Sequence, residues 1–91
     1  MSNLTPEQFL LVCMSLSARF SFRVTSFYRS PKANAAVGGV EQSAHLFWLG
    51  LDVLLDNSKE QVLFMDSAAR LGVRVLDETD HLHLQPMGWT K

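Results

Sequence analysis

The stretch SAHLFWLGLDVLLD, residues 43–56, sets a histidine and an aspartate inside a strongly apolar run. Any fold that buries this run must give His45 and Asp52 partners, since an unpaired polar group moved into an apolar medium costs about 2–7 kcal/mol and a charge far more. The two residues are seven apart. One straight strand would hold their Cα atoms more than ~20 Å apart, and one helix about 10 Å apart. A reversal at LFWLG would bring them together. Two readings fit at this point. One is a core histidine bonded to backbone, with an aspartate at a strand edge. The other is a shared metal, because imidazole nitrogen and carboxylate oxygen both suit zinc at about 2.0–2.2 Å.

The size of the chain makes the second reading useful. It has 91 residues, 47% of them apolar and 19% charged, which marks a folded single domain over residues 1–91 with a thin core. Such domains often need a staple. The one cysteine, Cys13, lies in FLLVCMSL and is expected to be a small buried hydrophobe. It cannot form an intramolecular disulfide, so a metal or a partner chain is the staple left. The net charge of −1 supplies no basic stripe, which argues against a nucleic-acid partner. No basic residue precedes the apolar run that begins at Phe9, so no secretory signal is expected, and synthesis in the cytoplasm follows. No run reaches the ~18–20 apolar residues of a membrane span.

Residues 4–20 predict a helix with Thr5 as N-cap, Pro6 in the first turn and Gln8 closing a capping box. Phe9, Val12, Cys13 and Leu16 form its apolar stripe. FRVTSFY (22–28) predicts a strand, and SPKANAAVGG (30–39) a short helix that Pro31 starts and Gly38 or Gly39 stops. A strand follows over 49–56, then a helix over 58–72 with Ser58 as a possible cap and Gly72 as its stop. VRVL and DHLHLQP predict two short strands around a turn at DETD. The order α-β-α-β-α-β-β implies an α+β domain, with helices packed on a small, mostly antiparallel sheet.

In DHLHLQP, alternation places His81 and His83 on one strand face and Leu82 and Leu84 on the other. The leucines suit the core. The histidine Cα atoms would lie roughly 6.5–7 Å apart, close enough to line one site. Two incidental histidines on a solvent-facing strand fit the same pattern. Taken with the opening stretch, His45, Asp52 and His83 make three ligands and leave a fourth zinc position open, as catalytic zinc requires. Asp80 and His81 then stand beside the site as proton-handling groups.

YRSPKANAAVGGVEQSAHLFWLGLDV followed by DHLHLQP resembles the zinc D-alanyl-D-alanine peptidases, which include peptidoglycan D,D-carboxypeptidases, dipeptidases and phage endolysins and share the hedgehog domain fold. The resemblance runs over residues 27–52 and 80–86. It implies that His45, Asp52 and His83 hold Zn2+ and that Asp80, three before the last ligand, is the general base, provided that a bend at DETD turns it toward the site. It implies that His81 steadies the charged intermediate, that Arg29 contacts substrate and the developing oxyanion, and that Ser43 lies in the substrate-contacting stretch. The implied partner is a peptidoglycan stem peptide, cut by a carboxypeptidase or an endopeptidase. A phage-derived chain would meet it at the cell wall. A relative of the same fold that binds zinc without catalysis is the alternative. The family's glycine three residues after the first histidine is Trp48 here, and its usual alanine two further on is Gly50. Trp48 is expected on the apolar side of the sheet, with Phe47 turned toward solvent or the site.

Overall fold

In the computed structural model, which describes residues 4–39 and 43–89, the chain runs through α1 (Pro6–Arg19), β1 (Phe22–Ser26), α2 (Pro31–Ala36), β2 (Leu51–Leu55), α3 (Gln61–Arg70), β3 (Val73–Asp77) and β4 (Leu82–Pro86). Short 3-10 turns stand at Ala44–Phe47 and Ser58–Glu60. The strands form one four-stranded antiparallel sheet in the order β1-β2-β4-β3. The expected α+β class is present, and among the described residues no helix is long and apolar enough to cross a membrane.

Each element follows from local chemistry. The Thr5 hydroxyl accepts from the Gln8 amide and the Gln8 side chain accepts from the Thr5 amide, so the capping box closes from both sides. Ser30 caps α2 through its bond from the Ala33 amide, and Gly38 ends the segment at φ 68°. The 58–72 segment starts differently from the expectation. Asn57, not Ser58, is the capping side chain, accepting from the Lys59 amide at 3.1 Å. The first turn is 3-10, and the α-helix proper begins at Gln61.

One side of the sheet carries the core. Leu51 and Val53 of β2, Val73 and Val75 of β3, and Leu82 and Leu84 of β4 pack against Phe9, Cys13, Leu16, Phe64 and Ala68 of α1 and α3. Phe64 receives Phe20 and Phe22 in edge-on contacts at 5.3 and 5.6 Å. Each fully buried Leu, Val or Phe contributes about 1.5–3 kcal/mol of burial free energy, so this layer carries the fold. Cys13 is buried within it, and burial pushes its thiol from 9.0 up to about 12.

The register decides what the opposite side presents. Leu51 stands opposite Leu84 and Val53 opposite Leu82, all on the core side. Asp52, between them, stands opposite His83 on the other side. Directly opposed side chains in an antiparallel pair sit about 4.5–5.5 Å apart at Cβ, so the hydrophobic register that forms the core also brings the carboxylate to the imidazole. β1 is shorter than the sequence implies. Its pairing shifts between Val24 and Ser26, a bulge that ends the ladder before Phe27 and Tyr28.

Candidate metal centre

His45 is held from three directions. Its backbone lies in the Ala44–Phe47 turn, whose cap Ser43 accepts from the His45 amide at 3.3 Å. Past the β1 bulge, the chain runs alongside this turn, and the Arg29 amide donates to the His45 carbonyl at 3.1 Å. The Phe27 carbonyl meets His45 Nδ1. That carbonyl can only accept, so Nδ1 carries a ring proton, and Nε2 is turned to Asp52 Oδ1, 3.2 Å away.

His83 approaches the same oxygen from β4. Its Nδ1 lies 2.8 Å from Asp52 Oδ1, and its Nε2 lies 2.9 Å from Gln85 Oε1. The ligating atoms of His45, Asp52 and His83 all fall within 4.8 Å of one another, and the three side chains are buried. With Nδ1–H of His45 committed to Phe27 and Nε2–H of His83 committed to Gln85, neutral rings would turn two lone pairs to one carboxylate oxygen. Acceptors facing acceptors repel unless a cation lies between them. A metal ion or an added proton on each ring supplies that charge. Burial alone would raise the Asp52 carboxyl, but hydrogen bonds with His45 and His83 override it and hold the group well below the usual carboxylate range. Burial alone would lower the His83 imidazole, but its bonds to Asp52 and Gln85 override that and pull it upward. The residues present therefore fit a divalent metal by donor type, convergence and charge.

The group lies in an open cleft of about 360 Å3 that is also lined by Arg29, Ser43, Glu78, His81 and Gln85. Arg29 donates from its terminal nitrogen to Ser43 Oγ at 3.3 Å, while its buried Nε has no partner. His81 bonds Asp80 Oδ1 through Nδ1 at 2.7 Å and turns Nε2 into the cleft, 3.7 Å from both Asp52 Oδ2 and Glu78 Oε1.

Six of the residues read from sequence thus converge: His45, Asp52, His83, His81, Arg29 and Ser43. Asp80 does not. Its side chain is 85% exposed and lines a neighbouring hollow, so it stands behind His81 rather than in the cleft. The DETD turn does bend sharply, with Thr79 at φ 77°, but that bend brings Glu78 to the cleft in place of Asp80. Trp48 also departs from expectation. It lies outside the core, 48% exposed, stacked on Tyr28 at 4.2 Å and edge-on to Phe27 at 5.4 Å. It does not line the cleft, and Phe47 is half-exposed beside Trp89. Sequence reasoning missed Glu78 and Gln85. Gln85 was within reach, since the alternation that pairs His81 with His83 extends to position 85. No periodicity places a turn residue such as Glu78.

A small α+β domain whose sheet and loop present a buried His-Asp-His group at the floor of a cleft has the make-up of a metallopeptidase. The family model for Peptidase M15 matches residues 12–85, a span that includes all three candidate ligands, and the chain belongs to that family. No curated protein and no solved structure gave a match.

Proposed function

We propose that the chain is a zinc-dependent peptidase that hydrolyses bonds in peptidoglycan stem peptides, of the D-Ala-D-Ala carboxypeptidase or endopeptidase type. The observation that carries the reading is the convergence of His45 Nε2, His83 Nδ1 and Asp52 in a cleft shared with Arg29 and His81. His45, Asp52 and His83 hold the metal. Zinc bound there supplies polarisation of a peptide carbonyl and a more acidic water.

The other residues have separable tasks. Arg29 lines the cleft, and its planar fork suits the carbonyl or carboxylate of a substrate and the charge that develops on the oxygen. Ser43 fixes the guanidinium through its hydroxyl and caps the turn that carries His45. Asp80 takes the Nδ1 proton of His81 as a hydrogen bond, which leaves the Nε2 lone pair facing the cleft. Proton transfer thus runs through His81, with Asp80 setting its tautomer and orientation. Trp48, stacked away from the cleft, leaves room for substrate.

Metal content and hydrolysis test this reading together. Protein loaded with zinc should release D-alanine or cut stem peptides from muropeptides, read by mass spectrometry. Arg29→Ala and His81→Ala should keep one zinc per chain and lose turnover, the latter by about 10²–10⁴-fold as for general acid–base groups, while Asp80→Ala, which leaves the imidazole in place, should lose less. Arg29→Lys should restore activity in part, since a point charge lacks the fork. A zinc-loaded wild type that cleaves neither a D-Ala-D-Ala bond nor an L-Ala-D-Glu bond over hours would sink the enzyme and leave a metal-binding module.

A further inference from the structure

Gln85 reaches His83 and a backbone carbonyl at once, and the second contact dictates the first. We infer that Gln85 is a positioning residue that commits His83 to ligate through Nδ1, with the Trp89 carbonyl setting the direction of the amide. The inference rests on the metal site proposed above.

The argument follows donors and acceptors along the chain of contacts. The Trp89 carbonyl can only accept, so the group facing it at 3.2 Å must be the Gln85 amide nitrogen. Gln85 Oε1 then faces His83 Nε2, 2.9 Å away. An amide oxygen only accepts, so Nε2 must be the protonated ring nitrogen. Nδ1, turned toward Asp52 Oδ1 at 2.8 Å, is then the ring nitrogen whose lone pair a metal in the site can take. Reversing the amide would set oxygen against oxygen at Trp89. The alternative tautomer of His83 would set lone pair against lone pair at Gln85.

Burial makes this constraint strict. Gln85 and His83 are both buried, so solvent does not readily replace a lost partner. His45 is fixed in the opposite sense, with Nδ1–H on the Phe27 carbonyl and Nε2 toward Asp52. One histidine therefore ligates through Nε2 and the other through Nδ1, each selected by an acceptor outside the cluster. A backbone carbonyl that holds His45 cannot be removed by changing a side chain, whereas the hold on His83 can. Gln85 is the point at which this tautomer control is open to test. The same amide ties the Met87–Trp89 segment to the site. Trp89 also packs against Phe47 at 5.4 Å, on the turn that carries His45.

Zinc affinity measured by competition with a chromophoric chelator, on full-length protein, separates the outcomes. Gln85→Leu removes the acceptor at similar bulk and should weaken zinc binding about 10–100-fold, the usual loss for an outer partner of a metal-bound histidine. Gln85→Glu keeps an oxygen at Nε2, an established partner of a ligating histidine, but turns its second oxygen to the Trp89 carbonyl, so it should lose some affinity and less than Gln85→Leu. Long-range 1H–15N spectra of the zinc-loaded protein should show His83 protonated at Nε2 in the wild type and Gln85→Glu. A folded Gln85→Leu with wild-type affinity and the same His83 pattern would overturn the inference while leaving the metal site standing. Equal loss in Gln85→Glu and Gln85→Leu, with His83 still protonated at Nε2 in both, would also overturn it, because the tautomer would then not depend on the residue at 85. A wild type that takes up no zinc would overturn the site and this inference with it.

Discussion

Trp48 and Gly50 show how one residue's backbone sets another's limits. Trp48 sits in the left-handed region at φ 61°, where a non-glycine residue costs roughly 1–2 kcal/mol. Stacking on Tyr28 returns about 0.5–1.5 kcal/mol of that. The turn closes through the Leu49 amide on the Ala44 carbonyl and swings position 50 against His45. A Cβ at Gly50 would come 2.8 Å from the His45 backbone nitrogen and 3.1 Å from the Ala44 carbonyl carbon. Backbone atoms cannot give way as a flexible side chain can. The alanine that the resemblance leads one to expect at this position therefore does not fit beside Trp48. Gly50→Ala should displace His45 and destabilise the fold by about 1–3 kcal/mol, the usual cost of overpacking. Zinc affinity should fall with it. Denaturant melts and a zinc titration check both, and an unchanged pair of values would show that the turn yields more easily than the contact distances say.

Among the elements, α1 and β4 were the most legible, and for different reasons. The α1 start is written in three residue types whose chemistry is local: Thr5, Pro6 and Gln8. Thr5→Ala should therefore cost about 1 kcal/mol, as loss of an N-cap does, and Thr5→Ser should cost much less. A midpoint shift in urea measures it, and an unaltered midpoint would mean that this end of the helix contributes little. β4 was legible because period-2 alternation assigns His83 to one face and Leu82 and Leu84 to the other. Alternation stops where the strand stops. Asp80 precedes the first strand residue, Leu82, and lies in a turn whose direction depends on Thr79 at φ 77°. No spacing rule reaches there, so the sequence leaves Asp80 dependent on a bend at DETD and gives no sign that the bend carries Glu78 to the cleft instead. The bulge at Val24–Ser26 was illegible for a related reason, because FRVTSFY carries an unbroken strand composition through it. The Asn57 cap was hidden by Ser58, an equally good capping residue one position later.

At the scale of the molecule, the His45–Asp52–His83 group joins what the hydrophobic layer leaves separate. The core binds α1 and α3 to one side of the sheet, but the turn at Ala44–Phe47 meets the sheet on the other side. His45 belongs to that turn, Asp52 to β2 and His83 to β4, so one ion would tie a loop to two neighbouring strands. Without it, three buried polar groups must share protons to avoid repulsion, and that arrangement stabilises the loop less. Metal binding here would consequently be folding energy as well as site chemistry. Zinc at a hundredfold excess over its dissociation constant adds about 2.7 kcal/mol to the folded state. For a domain of this size each kcal/mol moves the melting temperature by about 4–8 °C. Zinc should thus raise the midpoint by roughly 10–20 °C over chelator-treated protein. His83→Ala should melt at or below the metal-free wild type and show no zinc-dependent rise, because two remaining ligands do not close the site. Scanning calorimetry with zinc and with excess chelator reads both proteins. A zinc-dependent rise that survives in His83→Ala would place the stabilising ion elsewhere, and no rise in the wild type would mean that protein contacts such as the Arg29–His45 backbone bond, the Phe27–His45 bond and the Phe47–Trp89 packing hold the loop without it.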